Sequence, residues 1–180
     1  MSVLFYISLI IFASYIIYVC SKFGIPNSIS ESSYLLGLKS GNLYFYFWII
    51  AAVMPLLVYW LNLTQLQPWQ FLIFLSCAGL SFVGITGRFR NSKHENTIHL
   101  ISAFTCAIMA QAWALITFSY WWLISLIVFP SMYLIGKLIK GHRRNLITNK
   151  IEKTKDSVIF WVEVGLFLMA YISIFIFSKH

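Results

Sequence analysis

Few side chains of this sequence have the chemistry to bind a metal ion or to transfer a proton, and three of them are close together. His94, Glu95 and His99 lie just before and at the start of a long apolar stretch. Histidines five residues apart fall on different faces of a helix, unlike the paired histidines of the HExxH zinc motif. A histidine at the membrane boundary, paired with a carboxylate, is therefore favoured over a metal site at His94, Glu95 and His99. We expect neither a resident metal nor another cofactor.

Glu163 lies about two helical turns inside another apolar stretch. An ionisable group at such a depth in a membrane faces the interior of the bundle, is paired with another group or is protonated. Its candidate partners are His99 and Arg88, and both a functional role and a structural ion pair are left open. Gln111, deep in a different apolar stretch, is expected to hydrogen-bond across helices.

Residues 24–34 read GIPNSISESSY and are rich in hydroxyl side chains. Ser28 or Ser30 is suited to cap a short helix that carries Glu31 in its first turn. The same side chains are also suited to line a polar pocket at the inner membrane surface. The leading hypothesis is an integral membrane protein whose pocket faces the cytoplasm and binds a lipid headgroup, an ion or a small solute. The pocket residues are predicted to be Ser28, Ser30, Glu31, Arg88, His99 and Glu163.

The composition indicates a membrane bundle that would hold such a pocket. Of the 180 residues, 60% are hydrophobic and only 10% are charged, against about 25% charged residues in soluble domains. This balance excludes most soluble enzyme folds and disordered regulators, and three cysteines without a CxxC pair argue against a disulfide scaffold. The sequence predicts an all-α polytopic membrane protein, a single domain formed by a bundle of six transmembrane helices. The predicted spans are residues 3–20, 43–63, 69–85, 98–119, 121–135 and 157–177.

The basic residues predict the orientation of the chain. The connections after the first, third and fifth spans hold every Lys and Arg except Lys179. Cytoplasmic loops of membrane proteins carry such an excess, so these three connections are predicted to be cytoplasmic and both termini outside. The other connections are very short, which predicts antiparallel hairpins of spans 43–63 with 69–85 and 98–119 with 121–135. Small residues such as Gly79, Gly84 and Ala107 are expected to let helices approach closely.

The third inner connection, residues 137–156, is the most basic part of the chain. Glu152 and Asp156 face basic neighbours at helical spacing, which predicts a surface helix in part of it. We expect this loop to contact anionic headgroups of the inner leaflet, and no nucleic acid is expected because the chain has no phosphate-binding glycine motif. The contacting residues are predicted to be Lys137, Lys140, Arg143, Arg144, Lys150, Lys153 and Lys155.

Three segments, IPNSISESSY, AGLSFVGITGRFR and HENTIHLISAF, resemble the pattern of small six-span DRAM/FRAG-like membrane proteins and their uncharacterised bacterial and phage relatives. The chain departs from that pattern with Glu31 in place of an Asp and with Gly87 in place of a proline. The resemblance implies a six-helix bundle of a bacterial or phage-encoded inner membrane protein, with no assigned chemistry. It is carried by Pro26, Ile29, Ser30, Gly84, His99 and Ala103.

Three further interpretations are kept open beside the leading one. Six short helices enclose little space, so a channel or transport component would need a homo-oligomer. A more distant similarity to alkaline-ceramidase-type hydrolases, which use a Ser, an Asp and three His around zinc, suggests a metal-dependent lipid hydrolase, although this chain lacks an intramembrane Asp. Such an enzyme would use His94, Glu95, His99 and Glu163. Alternatively, residues 137–155 would recruit an acidic cytoplasmic partner. On balance we predict a protein that is not an enzyme.

Overall fold

The structure, a computed structural model, describes residues 3–37, 41–86, 89–90 and 92–179. Lys39, Arg88 and Gly87, which entered the sequence interpretation, lie outside the described residues. The described part of the chain forms seven helices and one two-stranded sheet. In chain order these are α1 (Val3–Phe23), α2 (Ser32–Leu36), α3 (Gly41–Leu63), α4 (Gln70–Ile85), α5 (Lys93–Thr117), α6 (Trp121–Leu138), β1 (His142–Arg144), β2 (Ile151–Lys153) and α7 (Val158–Phe177).

The helices confirm an all-α polytopic membrane bundle. By length and composition, α1, α3, α5, α6 and α7 are able to cross a membrane, and α4 is an apolar helix of 16 residues, about 24 Å long. Large apolar side chains cover the outside of the bundle, as at Ile10 and Ile127, which are 65% and 70% exposed. The surface of a membrane protein faces lipid tails, so such exposure carries no penalty there.

The helices pack in an order that the sequence predicts only in part. Helix α4 lies against both α3 and α5, and α1 packs along α3. The predicted hairpin of residues 98–119 with 121–135 is wrong, because α6 packs along α7 and makes few contacts with α5. Close approach at Gly136 explains this partnership: a Cβ atom there would lie 2.5 Å from the Cα atom of Val158.

A β-hairpin replaces the surface helix predicted in residues 137–156. His142 pairs with Lys153 and Arg144 with Ile151 in an antiparallel register. The side chain of Asn145 accepts hydrogen bonds from the N–H groups of residues 147 and 148, and Asn149 adopts a positive φ of 57°. Asparagine is common both as a side-chain acceptor in a turn and at a positive φ. Residues 145–149 therefore form a turn, although the spacing of the charges predicts a helix.

The first connecting segment, which we define as residues 24–36, lies between this hairpin and the bundle. Gly24 ends α1 with a φ of +78°, and its N–H donates to the carbonyl of Cys20 at 3.0 Å. That conformation suits glycine at the end of a helix. The N–H of His142 then donates to the carbonyl of Ile25 at 2.7 Å, and the N–H of Asn27 donates to the carbonyl of His142 at 3.1 Å. The segment therefore crosses the basic end of the bundle, the end that carries residues 24–37, 86, 89–90, 92 and 139–157.

Candidate functional site

Glu163 holds the first connecting segment against α7. Its Oε2 atom accepts a hydrogen bond of 2.5 Å from the N–H of Ile29, and the carbonyl of Asn27 accepts from the N–H of Phe160. The sequence interpretation offered His99 and Arg88 as partners of Glu163. Arg88 lies outside the described residues. The carboxylate accepts from the backbone of Ile29, and His99 contacts Ser30, the next residue.

His99 lies at the centre of a chain of three hydrogen-bonded side chains. Its Nε2 atom is 3.0 Å from Oγ of Ser30, and its Nδ1 atom is 3.1 Å from Oγ1 of Thr86. The imidazole ring stacks on Phe89 with 4.2 Å between the ring centroids. These contacts join the first connecting segment to α5 and to the residue that follows α4, and they fix the orientation of the ring.

A buried ion pair lies beside this chain. Arg90 contacts the Glu31 carboxylate, and the two side chains are 16% and 6% exposed. Burial raises the pKa of the Glu31 carboxyl above its ordinary value, while the guanidinium groups of Arg90 and Arg143 act in the opposite direction. The same Arg90 group donates to the carbonyl of Arg144 at 3.0 Å and lies over the ring of Tyr34.

The remaining residues of the predicted polar site have mainly structural contacts. Oγ of Ser28 accepts from the N–H of Glu31 at 3.0 Å, so Glu31 precedes the short helix α2 and does not lie in its first turn. His94 is exposed, and the N–H of Glu95 donates to the capping side chain of Ser92. No group of three His, Cys, Asp or Glu side chains in the described ranges has the arrangement of a metal site.

An apolar cleft runs between α3, α4, α5 and α7, with a volume of about 100 Å³. It extends along α3 from Phe45 to Trp60, which is about 22 Å along the helix axis. Small side chains of α5, such as that of Ala107, leave the space open. Ser30 and the half-buried Glu163 line the cleft at the level where the first connecting segment crosses the bundle. Two residues of the predicted polar site therefore meet at an opening that is otherwise lined mainly by apolar groups.

Gln111 also lines this cleft, and it hydrogen-bonds across helices as predicted. Its Oε1 atom accepts from the indole N–H of Trp121 at 3.0 Å. The bond joins α5 to the first turn of α6, where the two helices otherwise have few contacts. A polar side chain in this position stabilises the helix pair within the membrane.

The basic residues of the third inner connection differ in their contacts. Arg144 donates to the carbonyls of Tyr34 and Leu35, both of which belong to α2. Lys137 lies 3.2 Å from Asp156. The others are exposed at the surface around the hairpin; they are Lys140, Arg143, Lys150, Lys153 and Lys155.

Sequence reasoning missed two residues of the site, Thr86 and Arg90, and assigned Arg144 to headgroup contact and not to its bonds with α2. The sequence interpretation named Arg88 as a pocket residue. Arg90 follows α4 just as closely, and spacing alone does not distinguish the two arginines. Thr86 is an ordinary residue at a helix end, and nothing in its surroundings in the sequence points to His99. The acidic Glu31 in a chain with few carboxylates was the available signal that a cation should lie nearby.

Comparison with protein families, with curated proteins and with solved structures finds no match to this chain.

Proposed function

We propose that this protein binds a membrane lipid, with an acyl chain in the apolar cleft and the headgroup beside Ser30 and Glu163. The single observation that carries the proposal is the cleft, which is apolar along its length and polar where Ser30 and Glu163 line it. A lipid has the same division between its chain and its head. The volume of about 100 Å³ accommodates a short segment of an acyl chain, and the rest of the chain is expected to remain in the bilayer.

The lining favours a lipid over the ion or small solute considered from the sequence alone. An ion in this cleft would lose its hydration and meet mostly hydrocarbon, which is costly. An acyl chain keeps an apolar environment when it moves from the bilayer into an apolar cleft, and it fills space that would otherwise reduce packing. Binding is then decided by the polar contacts at the end of the cleft.

A substitution that fills the cleft with a large side chain tests the proposed binding of a lipid. The change Ala107→Trp places an indole in the cleft and is expected to abolish retention of a phospholipid by the purified protein, because the ring occupies the space of the chain. Native mass spectrometry of protein purified in detergent with phosphatidylglycerol and phosphatidylethanolamine measures retention. Ile108→Trp is the matched control, since Ile108 is the next residue and is 56% exposed. Equal retention by both variants would contradict the proposal.

We further propose that the basic end faces the cytoplasm, with both termini outside, and that the exposed basic residues contact anionic headgroups. Each basic residue near an anionic leaflet contributes on the order of 1 kcal/mol. The combined change of Lys150, Lys153 and Lys155 to Gln is therefore expected to reduce the preference for phosphatidylglycerol over phosphatidylcholine in mixed micelles. Lys179→Gln, after the end of α7 and remote from the hairpin in the chain, should leave that preference unchanged. An unchanged preference in the triple variant would refute these contacts.

A further inference from the structure

We propose that Ser30 is a nucleophile and His99 its general base, so that the site cleaves the ester bond of an acyl chain held in the cleft. This inference rests on the proposed binding of a lipid and adds a reaction to it. The side chain of Ser30 lies 3.0 Å from Nε2 of His99, and the histidine is oriented in turn by Thr86. A nucleophile, a base and an orienting group in hydrogen-bond series form the general arrangement of an activated serine.

The hydrogen bonds determine which nitrogen of His99 is protonated. The hydroxyl of Thr86 donates to the carbonyl of Phe82 at 2.8 Å, so its oxygen is left to accept from Nδ1–H of His99. A neutral imidazole that carries its proton on Nδ1 has a free lone pair on Nε2. That lone pair faces Ser30, and it accepts the hydroxyl proton. This is the tautomer that a general base requires.

The surroundings keep this base in position. Ser30 and His99 are 6% and 5% exposed, and the stacked ring of Phe89 covers the imidazole. Ser30 also lines the cleft, at the level where the polar and apolar parts of a bound lipid would join. The ester carbonyl of a lipid occupies that same junction.

The reaction balances with water as the second substrate. Oγ of Ser30 attacks the ester carbonyl carbon while its proton passes to Nε2 of His99. The bond between the carbonyl carbon and the alcohol oxygen breaks, and the leaving alkoxide takes the proton from the imidazolium. Water then attacks the acyl-serine carbonyl carbon while one of its protons passes to Nε2 of His99. The bond between that carbon and Oγ of Ser30 breaks, the imidazolium returns the proton to Oγ, and the fatty acid is released. Thr86 orients the ring without a negative charge, so we expect slower turnover than that of triads with an Asp.

Labelling with a fluorophosphonate probe tests the nucleophile in the full chain in detergent. We expect the probe on Ser30 by peptide mapping, no label in Ser30→Ala, and full labelling in the control Ser21→Ala, whose serine is exposed at the end of α1. His99→Gln should slow labelling by about 10²–10⁴-fold. Thr86→Val should slow it as well, whereas Thr86→Ser, which keeps the hydroxyl, should restore the rate. Thermal unfolding of each variant shows that it is folded.

The outcomes separate this inference from the lipid-binding function. The wild-type chain, but not Ser30→Ala, should release fatty acid from phosphatidylglycerol micelles. No label on wild-type Ser30, an unchanged rate in folded His99→Gln, or label without release of fatty acid would each overturn the reaction. Retention of a lipid by native mass spectrometry together with any of these results leaves lipid binding intact. Labelling of the wild type without a lipid retained by Ser30→Ala, which does not cleave it, would overturn the lipid-binding function.

Discussion

Replacing Arg90 with alanine is expected to lower the free energy of unfolding by about 3–5 kcal/mol near neutral pH. The loss is large because the change leaves the buried Glu31 carboxylate without its cationic partner. It also removes the hydrogen bond to Arg144 and the contact with the ring of Tyr34. Thermal unfolding in detergent micelles measures the effect, with an expected drop in Tm on the order of 10 °C.

The pH dependence of this loss has a definite sign. Burial raises the pKa of Glu31 in the folded state, so the folded chain binds a proton more readily than the unfolded chain. Stability is therefore lost as the pH rises from the ordinary pKa through the folded-state pKa. Arg90 opposes this shift, and its removal makes the loss larger. The difference between Arg90→Ala and wild type should be smallest near about pH 4 and largest near about pH 8.

The second ion pair of the described residues is the natural control. Lys137 and Asp156 are 45% and 28% exposed at their side chains, and solvent screens such a pair. Lys137→Ala should change Tm little at any of these pH values. Equal losses in Arg90→Ala and Lys137→Ala, or a defect of Arg90→Ala that grows toward low pH, would show that the buried pair is not the cause.

The change Gly79→Ala is expected to destabilise the bundle by about 1–3 kcal/mol. A Cβ atom at Gly79 would lie 2.8 Å from the carbonyl oxygen of Ser102 and 2.9 Å from the amide nitrogen of Cys106. Both contacts are with the backbone of α5, so relief requires the two helices to move apart. Helix α5 also carries His99, and the hydrogen bonds of that residue are expected to lengthen with this movement.

Gly84→Ala is the matched comparison on the same helix. A Cβ atom there would first meet the end of the Ile49 side chain, at 3.3 Å, and a side chain of that kind can adjust. Alanine also favours helix over glycine by about 1 kcal/mol. We expect Gly84→Ala to unfold at the wild-type temperature or slightly above it, measured beside Gly79→Ala in the same detergent. Two variants of equal stability would mean that the approach of α4 to α5 is not limited by the glycine.

The class of the fold, and the end of the bundle at which polar side chains gather, both follow from the amino-acid sequence. Hydrophobic length alone dictates helices in a membrane, since the backbone has to satisfy its hydrogen bonds within each segment. The basic connections mark one end, and Ser30, His99 and Glu163 all lie near it. The bonding of Gln111 across helices also follows from its type and depth.

Which of these residues contact one another depends on how the helices and connecting segments pack. Arg88 and Arg90 are equivalent by spacing, and the pairing of Arg90 with Glu31 depends on how the first connecting segment crosses the bundle. Glu163 binds a backbone N–H of that segment, and a backbone group leaves no trace in the sequence. The partnership of α6 with α7 likewise depends on the close approach at Gly136. Contacts between residues distant in the chain arise from packing, whereas hydrophobic patterning only specifies that packing will occur.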